Sequence, residues 1–77
     1  KQFAVYPNPG TNHIFISGNN PSCSKADVTV LTTLGEEIYK GVWGTDPIDM
    51  SRFSSGLYFI YITTPNGVEV HKWICSQ

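Results

Sequence analysis

The sequence predicts an all-β fold, a small sandwich or barrel of seven short strands. Three observations predict it. Turn residues recur at short intervals, at Pro7-Asn8-Pro9-Gly10, Gly18-Asn19-Asn20-Pro21, Leu34-Gly35, Gly44-Thr45-Asp46-Pro47, Ser54-Ser55-Gly56 and Pro65-Asn66-Gly67. Between them lie runs of β-branched and aromatic residues, the pattern of many short strands. No window of helical length carries apolar residues at i, i+3, i+4 and i+7, so no long helix is expected.

The first strand runs over Phe3–Tyr6 and stops at Pro7 and Pro9, which have no N–H to give to a ladder; it therefore lies at a sheet edge. The second, His13–Ser17, turns Ile14 and Ile16 inward and His13, Phe15 and Ser17 outward. The third, Ala26–Thr32, alternates Val28 and Val30 with Asp27 and Thr29. Leu34-Gly35 turns it into the fourth, Glu37–Trp43. The fifth is Pro47–Met50, with Asp49 capping one short helical turn over Met50-Ser51-Arg52-Phe53.

The sixth strand, Leu57–Thr63, takes Tyr58, Ile60 and Ile62 as its core face. Leu57, Phe59 and Tyr61 opposite are also apolar, so this strand is either central or presents its outer face to a partner. Pro65-Asn66-Gly67 is the strongest local signal, because Asn-Gly readily adopts the positive φ of a tight hairpin. It pairs the sixth strand antiparallel with the seventh, Val68–Ile74. There Val68, Val70 and Ile74 form an apolar row that contains Lys72, while Trp73 falls with Phe59 and Tyr61 on the outer face. The lysine either snorkels, its stem on apolar neighbours and its ammonium at the rim, or is a charge held out for a partner.

With 77 residues the chain has room for one core. At that size only about 60% of the unfolded surface is buried, which leaves stability marginal. Five Lys and Arg balance six Asp and Glu for a net charge of −1, so no field draws in a polyanion and nucleic acid is not expected as a partner. No apolar run approaches the roughly 20 residues that cross a bilayer as a helix. A start at Lys1-Gln2 reads as a piece of something longer.

Catalytic patterns are missing. Glu36 and Glu37 are adjacent and so face opposite ways on a strand. Asp46 and Asp49 flank Pro47-Ile48, without the alternating oxygens that calcium wants; turn formation and capping account for them. No serine sits in a G-x-S-x-G elbow. His13 and His71 have no evident acid partner and read as strand residues at the surface. His71 and Cys75, four apart on a strand, stand roughly 13 Å from each other and cannot share an ion. No enzyme activity, cofactor or metal site is expected. Cys23 and Cys75 are either bridged, closing a long loop for about 4 kcal/mol, or unpaired thiols packed as small hydrophobes. Trp43, Trp73, Tyr61 and Phe59 as an exposed aromatic platform would instead suggest carbohydrate binding.

Val5-Tyr6-Pro7-Asn8-Pro9, then Ile14-x-Ile16, Val28-x-Val30, Leu34-Gly35, Ile48-Asp49-Met50-Ser51, Ser55-Gly56-Leu57-Tyr58-Phe59-Ile60 and a late Lys72 follow in an order and spacing with a known counterpart. They resemble the C-terminal sorting domain of the type IX secretion system of Bacteroidetes, the Por secretion tail, over about Phe3 to Ile74. The resemblance implies a seven-stranded immunoglobulin-like β-sandwich, and an address label in place of a catalyst. Such a domain follows a secreted passenger and is recognised in the periplasm after Sec export. It directs the passenger through the outer-membrane translocon to the cell surface or beyond. A sortase-like cysteine peptidase then usually removes it, and the passenger is attached to anionic lipopolysaccharide.

Residues 1–77 would then be a single sorting domain cut from a longer secreted protein. Pro7, Asn8 and Pro9 match the family's opening motif, Gly56 and Tyr58 its late Gly-x-Tyr, and Lys72 its terminal lysine. Gly56 is expected to supply a backbone angle that glycine alone takes cheaply, and Tyr58 to anchor the core with its hydroxyl near the rim. The Cys-Ser-Gln end and the two cysteines depart from the family pattern. The docking surface is expected on the exposed face of the sixth and seventh strands, and an edge strand is available for pairing with a receptor or another copy. The alternative is an accessory immunoglobulin-like or carbohydrate-binding module of an extracellular enzyme.

Overall fold

A computed structural model describes residues 3–18, 25–44 and 46–76. Seven strands follow in order: β1 (Phe3–Tyr6), β2 (His13–Gly18), β3 (Asp27–Thr32), β4 (Glu37–Val42), β5 (Ile48–Asp49), β6 (Gly56–Thr64) and β7 (Gly67–Cys75). They form two antiparallel sheets, β1-β2-β5 and β4-β3-β6-β7, packed as an immunoglobulin-like sandwich. The chain changes sheet after β2, β4 and β5, whereas β1–β2, β3–β4 and β6–β7 are neighbours. β1 is an edge strand, as its two following prolines require.

Alternation decides what is inside. Ile14 on β2, Val28 and Val30 on β3, and Ile60 and Ile62 on β6 are at most 2% exposed. Each such side chain contributes about 1.5–3 kcal/mol by leaving water. Met50, just past β5, is also fully buried, and its N–H donates to Asn12 O at 2.7 Å. The helical turn expected there is instead one hydrogen-bonded turn. The Asp49 carboxylate accepts from Ser51 N–H at 2.9 Å and Phe53 N–H donates to Met50 O at 3.1 Å, and the chain then leaves for β6. At Leu34-Gly35 the turn between β3 and β4 forms as expected, with Gly35 at φ +86 and its N–H donating to Thr32 O at 3.0 Å.

The β6–β7 hairpin differs from expectation in one residue, and much follows. Thr64 pairs with Gly67, so the loop is Pro65-Asn66 alone, and the positive φ belongs to Gly67 at +140 and not to Asn66. A two-residue loop places even-numbered residues of β6 opposite odd-numbered residues of β7, Tyr58 against Trp73 and Phe59 against Lys72. Directly paired residues share a face. Trp73 is therefore in the core, with no exposed surface, and its expected outward position is corrected. Val68, Val70, Lys72 and Ile74 point outward instead.

Gly56 opens β6 at φ +152, a conformation that L side chains rarely adopt, with nothing within 4 Å of an added Cβ. Tyr58 is buried, and its hydroxyl donates to Ser54 O at 2.6 Å. A tyrosine near the start of this strand, tied back to upstream backbone, is the tyrosine corner of immunoglobulin-like sandwiches. Since the space beside Gly56 is open, its backbone angle alone sets the cost of replacing it. Gly56→Val should cost more than about 1 kcal/mol. For a domain of this size that lowers Tm by roughly 4–8 °C, and an unchanged melt would remove the account.

Candidate functional site

The residues singled out in the sequence gather at the end of the β6–β7 hairpin remote from its turn. β7 is the edge of its sheet, so one of its sides has no strand partner. The Pro7–Gly10 segment, released from β1 by its prolines, lies along that side. Asn8 donates from Nδ2 to Lys72 O at 2.8 Å and accepts at Oδ1 from Ile74 N–H at 3.1 Å. Its carboxamide thus does the work of a strand's peptide group, one donor and one acceptor. Gly10 continues the strap: its N–H donates to Ile74 O at 2.9 Å, and its carbonyl accepts from Ser76 N–H at 2.7 Å.

From the core side, the Trp73 indole donates to Pro7 O at 2.6 Å. A Cβ on Gly10 would stand 2.6 Å from Trp73 Cζ2 and 2.9 Å from Pro7 O, so glycine is required for the close approach. Cys75 is a buried thiol with Sγ 3.5 Å from Thr11 O. Cys23, its partner in the expected bridge, lies outside the described residues.

The outer face of β6 and β7 is apolar and in water. Leu57 stands opposite Ile74, Phe59 opposite Lys72, and Tyr61 opposite Val70. Val68 is 56% exposed and Ile74 50%, while Phe59 in the middle of the patch is half-buried. Leu31 of β3, opposite Phe59 on its other side, extends the patch. Lys72 sits within it, exposed, with Phe59 beside its stem. Both sequence readings of Lys72 placed it in an apolar row, and the row is there. It faces solvent, however, because the loop is one residue shorter than Pro65-Asn66-Gly67.

The proposed platform of Trp43, Trp73, Tyr61 and Phe59 does not assemble. Trp73 is in the core, and Trp43 packs edge-on against Phe3 at 5.6 Å with its indole N–H donating to Ile16 O. Only Phe59 and Tyr61 of the four lie on the outer face. His71 is corrected too. It has an acid partner, Glu69 Oε1 at 3.1 Å, and both are half-buried beside β1, where Phe3 N–H also reaches Glu69 Oε1 at 3.4 Å. The signal was present: residues i and i+2 of a strand share a face. Gly10 is a residue that the sequence reading does not single out, although it completes Pro-Asn-Pro-Gly.

Among the described residues no cluster of three or more His, Cys, Asp or Glu is placed to hold a metal ion. Asp49 acts in its turn: hydrogen bonds from the Ser51 side chain and backbone hold its carboxyl below the usual value.

A family model described as secretion system C-terminal sorting domain matches residues 4–76, which takes in both the strap and β7. No curated protein matches the chain.

Two outcomes test this geometry. Gly10→Ala should lower Tm by several degrees through the clash with Trp73 and Pro7 O, whereas Gly44→Ala, with open space around it, should not; equal melts would contradict the close approach. A carboxyl lowered by folding stabilises above its unfolded pKa and loses that contribution as pH falls through the folded one. Asp49→Asn should therefore flatten the acid limb of a stability–pH curve and leave its alkaline limb unchanged; an unaltered acid limb would show that the turn does not depend on the charge.

Proposed function

This chain belongs to the type IX secretion C-terminal sorting domains, and from that premise we propose that it is the address label of a fused passenger, read through the outer face of β6 and β7. The family is one of sorting signals and not of catalysts, and such a signal implies export to the cell surface or the extracellular space. In the proposed sequence of events the domain folds in the periplasm behind its passenger and is bound by the translocon. A sortase-like peptidase then cuts it away, so that the domain is a substrate and performs no chemistry itself.

One observation carries the choice of surface: an exposed apolar patch on β6 and β7 with a cation inside it. Contiguous apolar surface in water marks interaction sites on small soluble domains. Burying Leu57, Ile74 and Val68 against a partner supplies affinity, and an acidic group set opposite Lys72 supplies register and selectivity. The strap argues for face docking over strand addition at this site, because Asn8 and Gly10 already occupy the outward backbone groups from Lys72 to Ser76. β4, at the opposite edge of the same sheet, is then the strand to which a receptor or a second copy would add.

The test is an export assay in a type IX-competent bacterium, with a signal peptide and fluorescent reporter ahead of residues 1–77. Removing β7 outright would be uninformative, since Trp73 and Cys75 belong to the core. Lys72→Glu and Val68→Ser with Ile74→Ser change the outer face alone. We expect the unaltered fusion on the surface and both variants retained in the periplasm with near-normal melts. Export of both variants at the unaltered level would place docking elsewhere, and retention of the unaltered, folded fusion would defeat the sorting assignment.

A further inference from the structure

We infer that Asn8 is a positioning residue for the docking strand: it holds Lys72 and Ile74 in their outward orientation and is not itself a contact for the partner. The inference rests on the docking reading above. Asn8 makes two hydrogen bonds, and both go to β7 backbone, at Lys72 O and Ile74 N–H. These groups lie on either side of Trp73, whose indole is held by Pro7 O. One carboxamide therefore fixes the peptide groups on both sides of a core anchor. The two residues so fixed, Lys72 and Ile74, carry side chains on the outer face.

The need for such a device follows from where β7 lies. An edge strand has a neighbouring strand on one side only, and segments whose backbone hydrogen bonds are exposed open first in native proteins. If the end of β7 frayed, Trp73 would remain the main tether, while Lys72 and Ile74 sampled many directions. A partner would then have to order them on binding, which weakens association. Asn8 does that ordering beforehand. Asparagine suits the position because it carries both a donor and an acceptor on one short side chain. Aspartate keeps the acceptor for Ile74 N–H but, when ionised, turns a second acceptor toward Lys72 O.

The experiment pairs amide hydrogen exchange on the 77-residue chain with the reporter export assay. In Asn8→Ala, the protection factor at Ile74 should fall roughly fivefold or more, the scale of one lost hydrogen bond. Protection at Ile60 in the core should stay unchanged, and export should fall. In Asn8→Asp at neutral pH, Ile74 should stay protected because its acceptor remains. Export should lie between those of Asn8→Ala and the unaltered chain. Below the carboxyl pKa the protonated side chain can donate to Lys72 O again, and any loosening that the ionised form causes at Trp73 and Ser76 should disappear, with Ile74 protected throughout.

Unchanged Ile74 protection in Asn8→Ala would overturn the inference, and if export fell at the same time Asn8 would be a direct contact. Loss of protection with full export would overturn it as well. Should Asn8→Ala fail to fold, Asn8→Asp decides: Ile74 exchanging as an unprotected amide, or export equal to the unaltered chain while residues 72–76 are loosened, rejects positioning. Retention of the unaltered fusion would instead defeat the sorting reading, and the exchange data would still show whether Asn8 holds the strand.

Discussion

The contact on which the rest depends is the one between Pro7–Gly10 and the unpaired side of β7. A seven-stranded sandwich of this size has little core to spare, and Trp73 is its largest fully buried side chain. That indole cannot enter the core with its N–H unsatisfied, and Pro7 O is the group that accepts it. Proline serves here because it ends β1 without leaving an N–H to be satisfied. Glycine follows at position 10 because the backbone must pass within contact distance of the ring. The strap is thus a joint solution to three local problems: a buried indole, an open strand edge and the exit from β1.

The same contact stands between a buried and a solvent-facing row of β7 side chains. Its inner row, Trp73 and Cys75, is packed against the core, and its outer row, Lys72 and Ile74, is in water. Between them the backbone is held from one side by β6 and from the other by Asn8 and Gly10. An apolar outer row on a nine-residue edge strand would ordinarily invite edge-to-edge pairing. Closing the backbone groups while leaving the side chains exposed restricts what can bind there to partners that fit the face.

Most of the fold was legible. Alternation of Ile14 with Phe15, Val28 with Thr29 and Ile60 with Tyr61 gives the inner face of β2, β3 and β6, and Pro7 and Gly35 mark breaks between strands. What misled was a loop length. Pro65-Asn66-Gly67 as a three-residue turn would align even residues of β6 with even residues of β7 and bury Val68, Val70 and Ile74. With Gly67 inside the ladder, the parity reverses and Trp73 goes in. A one-residue change in a hairpin inverts a whole strand, and both rows of β7 are apolar enough to satisfy either reading. The clue that favours the observed one is Trp73 itself, since the bulkiest side chain gains most from burial. The candidate site was less legible than the fold. Pro7, Asn8 and Pro9 are visible as a motif, but nothing in their order reveals that Asn8 meets backbone, and Pro7 O an indole, more than sixty residues downstream.

That distance gives the domain a property of its own. Asn8 and Pro7 find their hydrogen-bond partners at sequence separations of 64 to 66 residues. Contacts so remote along the chain form only after nearly all of it is present. A polypeptide interrupted anywhere before Lys72 lacks both the indole and the backbone groups that the strap binds, and so cannot close the sandwich. Closure of the fold thereby requires that translation of the whole segment was finished, and an incomplete product stays open.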